Sequence, residues 1–408
     1  MNSIVIVGAG ECGGRAALSL RERGYTGAVT LIGAEDHPPY ERPPLSKDGI
    51  VGNVDPRFVA GLGDYTAKQI DLRLSASVTR LDRASRVVEL DDGTLVPYTK
   101  LLLATGARAR SLPGSEVNSP RILSLRTHAD ALRIRQHLTP GSRLAILGGG
   151  FIGLELAASA RRLGATVVLL EGLPRILSRG VPAEIAAAVA ARHSAEGVEI
   201  ICSARVETLR ATDEDIRLTL SDGGVIEADL FVVGIGSLPN VELAAEAGLA
   251  IDNGIAVDRH LQTSDQDIWA AGDCCSFPLA HYGDRRVRLE SWRSAQEHAL
   301  IAAANLLGAS DTITAVPWFW SDQFDLTLQV AGLSTGSTRA VRRDLGNGAF
   351  IIFEMDDAGL LLAASGIGPG NAVARDIRLA EMLIASGRSI DAQALASPDV
   401  RLKALLAA

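Results

Sequence analysis

One pattern occurs twice in this chain, and it constrains the fold more than any other feature of the sequence. An apolar run is followed by a glycine-rich turn, a helical segment, a second apolar run and an acidic residue. The first copy spans residues 3–35 and the second copy spans residues 142–171. A strand, a glycine turn, a helix and a second strand ending in an acid are the parts of a dinucleotide-binding unit. Two copies therefore predict two nucleotide sites on an α/β fold.

The first copy contains three glycines, and each has a separate physical use. Gly8 permits the tight turn, Gly10 lets the backbone approach a pyrophosphate, and Gly13 lets the helix lie close to the strand. The N-terminus of the helix adds free N–H groups and the positive end of a dipole. Glu35 follows the second strand, where a carboxylate can accept hydrogen bonds from ribose hydroxyls.

The second copy carries the turn at residues 148–153, a helix predicted over residues 154–163, and the acid Glu171. A carboxylate at the ribose end repels a 2′-phosphate, which favours NAD over NADP. Arg175 and Arg179 follow closely and complicate this preference. Glu155 has two interpretations: it complements the N-terminal dipole of the helix, or it lies near the nicotinamide end of the site.

Length, charge and cysteine content limit the class of protein. A chain of 408 residues predicts two or three domains. Its net charge of −8 argues against a nucleic-acid partner. No signal-peptide pattern and no apolar run of membrane-spanning length occur, so we expect a cytoplasmic protein without a membrane partner. Four cysteines, two of them adjacent, indicate neither a disulfide framework nor a metal site.

Five further segments contain candidate functional residues. The proline-rich residues 36–47 predict a stiff loop, which is either a solvated surface loop or a clamp that presents Arg42 and Lys47 to a nucleotide. One buried strand ends in a turn of small residues at 104–106, and another ends in a glycine turn at 234–236. A ligand can approach the backbone closely at such turns. Asp273 ends another strand, either as an ordinary loop residue or as a partner for a polyol. The aromatic cluster at residues 318–324 fits a packed domain junction.

The remaining pattern predicts secondary structure and domain boundaries. We expect helices at 127–138, 183–195, 290 to about 307 and 371–386, and an antiparallel hairpin within 72–96. Strands at 327–333, 338–343, 349–354 and 359–366 predict a C-terminal α+β domain. The expected division is residues 1–112 with 241–318, residues 113–240, and residues 319–408, with the first change of domain at Pro113-Gly114.

With these residues assembled, the chain resembles the ferredoxin reductases of bacterial oxygenase systems. These belong to the two-dinucleotide flavoprotein superfamily that includes glutathione reductase. The resemblance rests on Tyr40-Glu41-Arg42-Pro43-Pro44-Leu45-Ser46-Lys47, Ala104-Thr105-Gly106, Gly148 to Glu155, Gly272-Asp273, Glu290-Ser291-Trp292 and Phe319-Trp320-Ser321-Asp322-Gln323. It implies two Rossmann-like domains of the glutathione-reductase type, with FAD on the first unit and NADH on the second.

The resemblance also implies a role for each of these motif residues. The expected catalytic residues are Lys47, Glu155 and Trp320. The expected FAD-binding residues are Gly8, Gly10, Glu11, Cys12, Gly13, Glu35, Arg42, Lys47, Ala104, Thr105, Gly106, Gly272, Asp273, Glu290, Ser291, Trp292 and Trp320. The expected NAD-binding residues are Gly148, Gly150, Phe151, Ile152, Gly153, Glu155, Glu171, Gly234, Ile235 and Gly236.

The implied activity is transfer of hydride from NADH to FAD, followed by transfer of single electrons to a separate [2Fe-2S] ferredoxin that serves a cytochrome P450 or a Rieske dioxygenase. We expect a monomer or a weak homodimer. Candidate docking residues for an acidic ferredoxin are Arg285, Arg286, Arg288, Arg339, Arg342 and Arg343, which are equally typical of solvated strand edges.

Two other activities fit the same motifs, whereas a third, disulfide reduction, is disfavoured. The alternatives are an NADH oxidase or diaphorase, and a redox-regulated interaction protein that resembles apoptosis-inducing factor. Disulfide reductases need a redox cysteine pair beside the flavin, and residues 36–47 contain no cysteine. Cys12 lies in the phosphate turn and is better interpreted as a small packing residue.

Overall fold

The computed structural model describes residues 2–52, 55–112, 119–212 and 215–407. The expected change of domain at residues 113–114 lies outside this part of the chain. Among the described residues, no helix combines the length and the apolar character that crossing a bilayer requires.

The order of the elements follows the predicted alternation of strands and helices. The strands are β1 (Ser3–Val7), β2 (Ala28–Ile32), β3 (Ile70–Arg73), β4 (Val78–Asp82), β5 (Val87–Leu90), β6 (Leu95–Pro97), β7 (Lys100–Leu103), β8 (Ala107–Ala109), β9 (Ile122–Leu123), β10 (Arg143–Leu147), β11 (Thr166–Glu171), β12 (Val198–Cys202), β13 (Val206–Ala211), β14 (Ile216–Leu220), β15 (Val225–Ala228), β16 (Leu230–Val233), β17 (Ser237–Pro239), β18 (Ile255–Ala256), β19 (Ile268–Ala270), β20 (Cys275–Leu279), β21 (Arg285–Val287), β22 (Trp318–Gln323), β23 (Leu326–Gly332), β24 (Arg339–Gly346), β25 (Ala349–Met355) and β26 (Leu361–Pro369). The helices are α1 (Glu11–Glu22), α2 (Asp48–Val51), α3 (Leu62–Ala67), α4 (His128–His137), α5 (Phe151–Arg162), α6 (Ala183–Ala195), α7 (Glu242–Glu246), α8 (Trp292–Leu306), α9 (Ala374–Ser386), α10 (Ala392–Ala396) and α11 (Leu402–Leu405), with 3₁₀ helices at Pro43–Ser46, Gly272–Cys274 and Ala280–Tyr282.

The chain forms two compact units, and unit 1 comprises residues up to 42, 56–108 and 238–315. Its central sheet has the strand order β19-β7-β1-β2-β3, and every pairing in it is parallel. The β1 residues 4–7 are all buried, because a parallel sheet is covered on both faces. Helices α1 and α8 pack against each other in this unit. The antiparallel sheet β4-β5-β6 and the sheet β18-β20-β21 complete it.

Unit 2 comprises residues 43–55, 109–237 and those from 316 onward. Its parallel sheet has the order β12-β11-β10-β16-β9, so the second glycine turn ends a central strand, as the first one does in unit 1. An antiparallel sheet of order β22-β23-β26-β25-β24 forms the C-terminal part of unit 2. Helix α9 covers this sheet and buries Ile377, Leu383 and Ile384 against its strands. The α/β class with a C-terminal α+β region is therefore confirmed.

Several local predictions differ from the structure. Residues 43–46 of the expected stiff loop form a 3₁₀ helix, which accepts proline at its start because the first N–H groups of a helix need no internal partner. Residues 72 and 73 of the expected hairpin belong to β3, which pairs with β2 in the parallel sheet, and the antiparallel sheet begins only at residue 78. Residues 318–323, for which no secondary structure was predicted, form the strand β22. Helix α5 begins at Phe151 instead of residue 154.

Candidate functional site

The first glycine turn brings the end of β1, the start of α1 and the end of β7 into close contact. Gly8 has a φ of +111°, and a Cβ atom there would lie 2.1 Å from the carbonyl oxygen of Ala104. A Cβ atom on Gly13 would lie 1.9 Å from the carbonyl oxygen of Gly8. Only glycine fits these two positions, so the sequence enforces the narrow turn.

Gly10 is different, because a Cβ atom there would meet no atom of the protein within 4 Å. Its φ of −90° is also accessible to other residues. The backbone therefore borders open space at the N-terminus of α1, where helical N–H groups favour a bound anion. This geometry fits the pyrophosphate of a dinucleotide.

The neighbours of Gly10 on the first turn of α1 are Glu11 and Cys12. Glu11 forms an ion pair with Arg15 and accepts a hydrogen bond of 2.8 Å from Gln296 on α8. Cys12 is buried, and burial raises the pKa of its thiol well above the usual value. A neutral buried thiol is a packing group and a poor nucleophile.

Glu35 lies after β2, as the sequence predicts, and it is held by two neighbours from the following loop. The hydroxyl of Tyr40 donates to Glu35 Oε2 at 2.5 Å, and Arg42 Nη2 donates to Glu35 Oε1 at 2.8 Å. Arg42 also lies over the Tyr40 ring. The carboxylate is half-buried and fixed in direction, which suits an acceptor for ribose hydroxyls.

The turn at residues 104–106 is fixed by Asn240, a residue that sequence reasoning missed. Thr105 Oγ1 donates to the carbonyl oxygen of Asn240 at 2.6 Å, and Asn240 Nδ2 donates to the carbonyl oxygen of Thr105 at 2.8 Å. The backbone N–H of Asn240 also donates to the carbonyl oxygen of Gly106. The asparagine after Pro239 was the available signal, because an amide side chain can pair with a neighbouring loop in both directions.

The remaining unit 1 candidates lie at a 3₁₀ turn and at the start of α8. Gly272 and Asp273 form that turn, and Gly272 N–H donates to His298 Nδ1 at 3.3 Å. Ser291 caps α8 by accepting from Ser294 N–H at 3.2 Å, which makes Trp292 the first residue of the helix. The other candidate here is Glu290, which pairs with Arg288.

The second glycine turn, in unit 2, repeats the geometry of the first. Gly148 has a φ of +119°, and a Cβ atom there would lie 2.3 Å from the carbonyl oxygen of Gly234. Gly153 approaches the carbonyl oxygen of Gly148 in the way that Gly13 approaches Gly8. Gly150, like Gly10, borders open space. The adjoining candidates are Ile152, which is 49% exposed, Ile235, and Gly236 with a φ of +105°.

Glu171 ends β11, and its carboxylate is fixed by two backbone N–H groups. Gly149 N–H donates to Oε2 and Leu173 N–H donates to Oε1, both at 2.8 Å. Arg175 donates to the backbone carbonyl oxygens of residues 176, 177, 178 and 181. Because its guanidinium is committed to those carbonyls, Arg175 is a poor partner for a 2′-phosphate. The arrangement favours NADH over NADPH.

A charged cluster in unit 2 contains the three residues expected to be catalytic. Lys47 Nζ lies 2.8 Å from Asp322 Oδ2 and 3.4 Å from Glu155 Oε1. The ammonium also lies 5.3 Å from the centre of the Trp320 ring, and Trp320 Nε1 donates to Asp322 Oδ2 at 3.2 Å. Sequence reasoning assigned no role to Asp322, although it lies within the motif that contains Trp320.

Glu155 is buried, and its partners determine how it ionises. Ser46 Oγ donates to Oε2 at 2.5 Å and Ser321 Oγ donates to Oε1 at 2.6 Å. Burial raises the pKa of Glu155, while Lys47 and the two hydroxyls oppose that rise. Because α5 begins at Phe151, Glu155 lies in the second turn, where the dipole acts weakly. The lysine and the hydroxyls are its main partners.

The alternation of strand β22 explains how this cluster forms. Trp318, Trp320 and Asp322 share one face, where the two indoles stack with centroids 5.5 Å apart. The opposite face carries Phe319, Ser321 and Gln323. Phe319 packs on Phe151 of α5, and Ser321 binds Glu155 one helical turn further along. Residues two apart on the strand thus meet residues four apart on the helix.

The structure groups the predicted site residues by unit. Unit 1 holds Gly8, Gly10, Glu11, Cys12, Gly13, Glu35, Arg42, Ala104, Thr105, Gly106, Gly272, Asp273, Glu290, Ser291 and Trp292, and unit 2 holds Lys47, Gly148, Gly150, Phe151, Ile152, Gly153, Glu155, Glu171, Gly234, Ile235, Gly236 and Trp320. Lys47 and Trp320 were expected to contact FAD, and they share a unit with the expected NAD residues.

Part of the proposed docking surface is wrong. Arg343 is 4% exposed and donates to the carbonyl oxygens of Leu395, Ser397 and Val400, so it cannot face a partner. Arg343 occupies an inward-facing position of β24. The three arginines in that strand had suggested an exposed edge instead. Arg342 pairs with Asp344 and Glu184.

Comparison with known proteins assigns the family. The sequence matches the model of the pyridine nucleotide-disulphide oxidoreductases over residues 2–299 and that of the reductase C-terminal region over residues 318–406. It is 43% identical to the ferredoxin–NAD(+) reductase component of the anthranilate 1,2-dioxygenase system of Burkholderia cepacia, covering 98% of each chain. It is 39% identical to rhodocoxin reductase of Rhodococcus erythropolis, covering 99% of this chain and 94% of that one.

A solved structure extends this similarity to the fold. Putidaredoxin reductase in its covalent complex with putidaredoxin superposes with a TM-score of 0.94 at 34% identity, covering 100% of this chain and 98% of that chain. The two glycine turns, the two fixed carboxylates and the similarity along the whole sequence agree. The chain belongs to the pyridine nucleotide-disulphide oxidoreductase family, among its ferredoxin reductases.

Proposed function

We propose that this chain is an FAD-dependent NADH:ferredoxin oxidoreductase that reduces a separate [2Fe-2S] ferredoxin serving an oxygenase. The relatives at 43% and 39% identity carry the names of a ferredoxin–NAD(+) reductase component and of rhodocoxin reductase. The observation that carries the proposal is the pair of glycine turns, in which Gly10 and Gly150 each border open space in front of a helix N-terminus. Two nucleotides can therefore bind by the same physical means.

When bound, FAD would supply the chemistry that is standard for the family, which is the acceptance of a hydride from NADH and the release of single electrons. In our proposal, residues 1–112 and 241–318 bind FAD, residues 113–240 bind NADH, and residues 319–408 form the C-terminal domain. Glu35 accepts hydrogen bonds from the ribose of FAD, and Glu171 does so from the ribose of NADH. Asp273 contacts the ribityl region.

The charged cluster of unit 2 has an electrostatic role in this proposal. Lys47 presents one positive charge, which Glu155 and Asp322 hold in place from two sides. A fixed cation stabilises negative charge without reorganising, and it does so strongly where water is excluded. The indole of Trp320 holds the ammonium from a third side. In this proposal, Lys47 stabilises the negative charge that develops on a redox ring during electron transfer.

The partner and the location follow from the same proposal. The chain has four cysteines, at positions 12, 202, 274 and 275. Their spacing does not match the sets of four cysteines that bind an iron–sulfur cluster. The iron–sulfur cluster is therefore assigned to a second protein. We also propose that the reductase is a monomer or a weak homodimer. All four cysteines are free thiols, which fits a reducing cytoplasm.

The test is a comparison of electron acceptors. The NADH-reduced protein is mixed with oxidised [2Fe-2S] ferredoxin, with oxygen and with a quinone, and the rate of flavin reoxidation is recorded for each. We expect ferredoxin to be the fastest acceptor at equal concentration. Faster reoxidation by oxygen or by quinone would replace this proposal with an oxidase or a diaphorase.

A further inference from the structure

A buried chain of polar side chains leads from Glu155 to His193 within unit 2, and the proposed function leaves most of it unused. Ser321 Oγ lies 2.6 Å from Glu155 Oε1, Gln323 Nε2 lies 2.8 Å from Ser321 Oγ, and His193 Nε2 lies 2.8 Å from Gln323 Oε1. Ser321, Gln323 and His193 are each 0% exposed. The three links are therefore shielded from competing water.

The donors in this chain all point in one direction. An ionised carboxylate only accepts hydrogen bonds, so the Ser321 hydroxyl donates to Glu155. The Ser321 oxygen then accepts from the amide nitrogen of Gln323, which leaves the Gln323 carbonyl to accept from His193 Nε2–H. If Ser321 donated to Gln323 while Glu155 is ionised, two oxygens without a proton between them would face each other at 2.6 Å.

His193 ends the chain as a neutral donor. Burial lowers the pKa of its imidazole, and the positive charge of Arg192 lowers it further, against the hydrogen bond to Gln323. Its Nδ1 atom has no hydrogen-bond partner in the part of the chain that the structure describes. The ring packs edge-on against Phe324, with centroids 4.9 Å apart. A proton fixed on Nε2 is the state that this environment selects.

The charged groups around the chain are few. Lys47 faces Glu155 from one side and Asp322 lies beyond that lysine, while Ser46 occupies the second carboxylate oxygen. Near His193, Arg192 pairs with Asp325 and Glu196. Above its pKa, Glu155 is an anion that is stabilised by one ammonium and two hydroxyls. One of those hydroxyls, that of Ser321, accepts a hydrogen bond from Gln323.

We propose that Gln323 and His193 are positioning residues, which act through Ser321 to keep the Glu155 carboxylate ionised and directed at Lys47. Each donor polarises the next one, so the hydroxyl that reaches the carboxylate is a stronger donor than an isolated serine would be. This inference rests on the proposed function only where the Lys47 charge is given a role in electron transfer.

The experiment is an infrared pH titration that follows the C=O stretch of protonated Glu155, which is identified by its disappearance in Glu155→Gln. We expect Ser321→Ala to raise the midpoint of protonation by about one to two pH units, because it removes a hydrogen bond to a charged group. Gln323→Leu raises it by about one unit and His193→Leu by about half a unit, in order of distance along the chain. His193→Gln keeps an N–H donor and returns the midpoint to that of the wild type.

Ser365→Ala is the matched control, because it removes a buried hydroxyl from the same sheet whose oxygen has no hydrogen-bond partner among the described residues. We expect no shift in it. Equal midpoints in wild type, Gln323→Leu and His193→Leu would overturn the inference, as would a His193→Gln midpoint equal to that of His193→Leu. Gln323→Leu tests the chain on its own if His193→Leu does not fold, because its midpoint should still exceed that of the wild type.

The titration measures the protonation state of Glu155 and needs no enzymatic turnover. A protein that binds flavin and is bleached by NADH, yet shows no graded shift, would contradict this inference and leave the proposed function intact. A protein that binds no flavin would contradict the proposed function, while the titration would still decide whether the chain of donors controls Glu155.

Discussion

Lys47 Nζ lies 2.8 Å from Asp322 Oδ2, although 275 positions separate the two residues in the sequence. Glu155 approaches the same ammonium at 3.4 Å. One lysine between two carboxylates is strongly restrained, because moving it would leave Glu155 buried without a counter-charge. The cluster therefore fixes a positive charge at a defined point of unit 2.

Replacing Lys47 by methionine tests this charge. Methionine retains much of the apolar stem and removes the ammonium, so we expect the rate of flavin reduction by NADH to fall about 100-fold. Stopped-flow absorbance measures this rate. Lys68→Met removes a half-exposed lysine that lies 4.0 Å from Glu22, and it should leave the rate unchanged. An unchanged rate in Lys47→Met would remove Lys47 from the proposed chemistry.

The two open glycines give a paired prediction. An alanine at Gly10 or Gly150 clashes with no protein atom, so both variants should fold normally. A methyl group there occupies the space assigned to a pyrophosphate. We expect Gly10→Ala to weaken FAD binding and Gly150→Ala to raise the KM for NADH, each by about 10- to 100-fold.

Flavin content and NADH titrations separate the two effects. Gly63→Ala is the control, because Gly63 also borders open space but lies on the exposed helix α3. The assignment of sites is wrong if Gly10→Ala keeps its flavin, or if Gly150→Ala loses it while its KM for NADH stays normal.

Glu171 should determine coenzyme choice. Glu171→Ala loses the acceptor for the ribose hydroxyls, and we expect its KM for NADH to rise about tenfold. NADPH should remain a poor substrate, because the Arg175 guanidinium is committed to four backbone carbonyls. The kcat/KM values for both coenzymes measure this, with the exposed Glu199→Ala as control. Efficient NADPH turnover by Glu171→Ala would show that an arginine here is available after all.

His298 should make unit 1 less stable in acid. Burial lowers the pKa of His298 to about 4 from 6.5. Between these values the unfolded chain binds a proton that the native protein excludes, so stability falls as the pH falls from 6.5 towards 4. The loss is about 3 kcal/mol by linkage.

The measurement is the free energy of unfolding against pH for wild type and His298→Asn, which keeps an acceptor for the Gly272 N–H. We expect the variant to lose this part of the acid sensitivity. Parallel curves for the two proteins would mean that His298 takes up its proton at the same pH in the folded and the unfolded states.

The sequence predicted what is local and missed what is distant. The glycine turns, Glu35 and Glu171 follow from patterns of about 30 residues, because a strand, a turn and a helix are set by neighbouring residues. The contacts of Glu155 with Ser46 and Ser321 join residues 109 and 166 positions apart, and no local pattern encodes them.

The strand at residues 318–323 was obscured for a different reason. Four aromatic residues in one short segment suggested packing, while the alternation of Trp320 and Asp322 with Ser321 and Gln323 was the strand signal. The early start of α5 was missed because Gly150 provides no side-chain cap. The buried position of Arg343 shows that an arginine can satisfy backbone carbonyls instead of facing solvent.

The most direct measurement is the visible absorption spectrum of the purified protein during anaerobic titration with NADH. We expect a yellow protein whose flavin band is bleached by an equimolar amount of NADH and returns when oxidised [2Fe-2S] ferredoxin is added. A colourless protein that cannot take up FAD, or a bound flavin that NADH does not reduce, would contradict it.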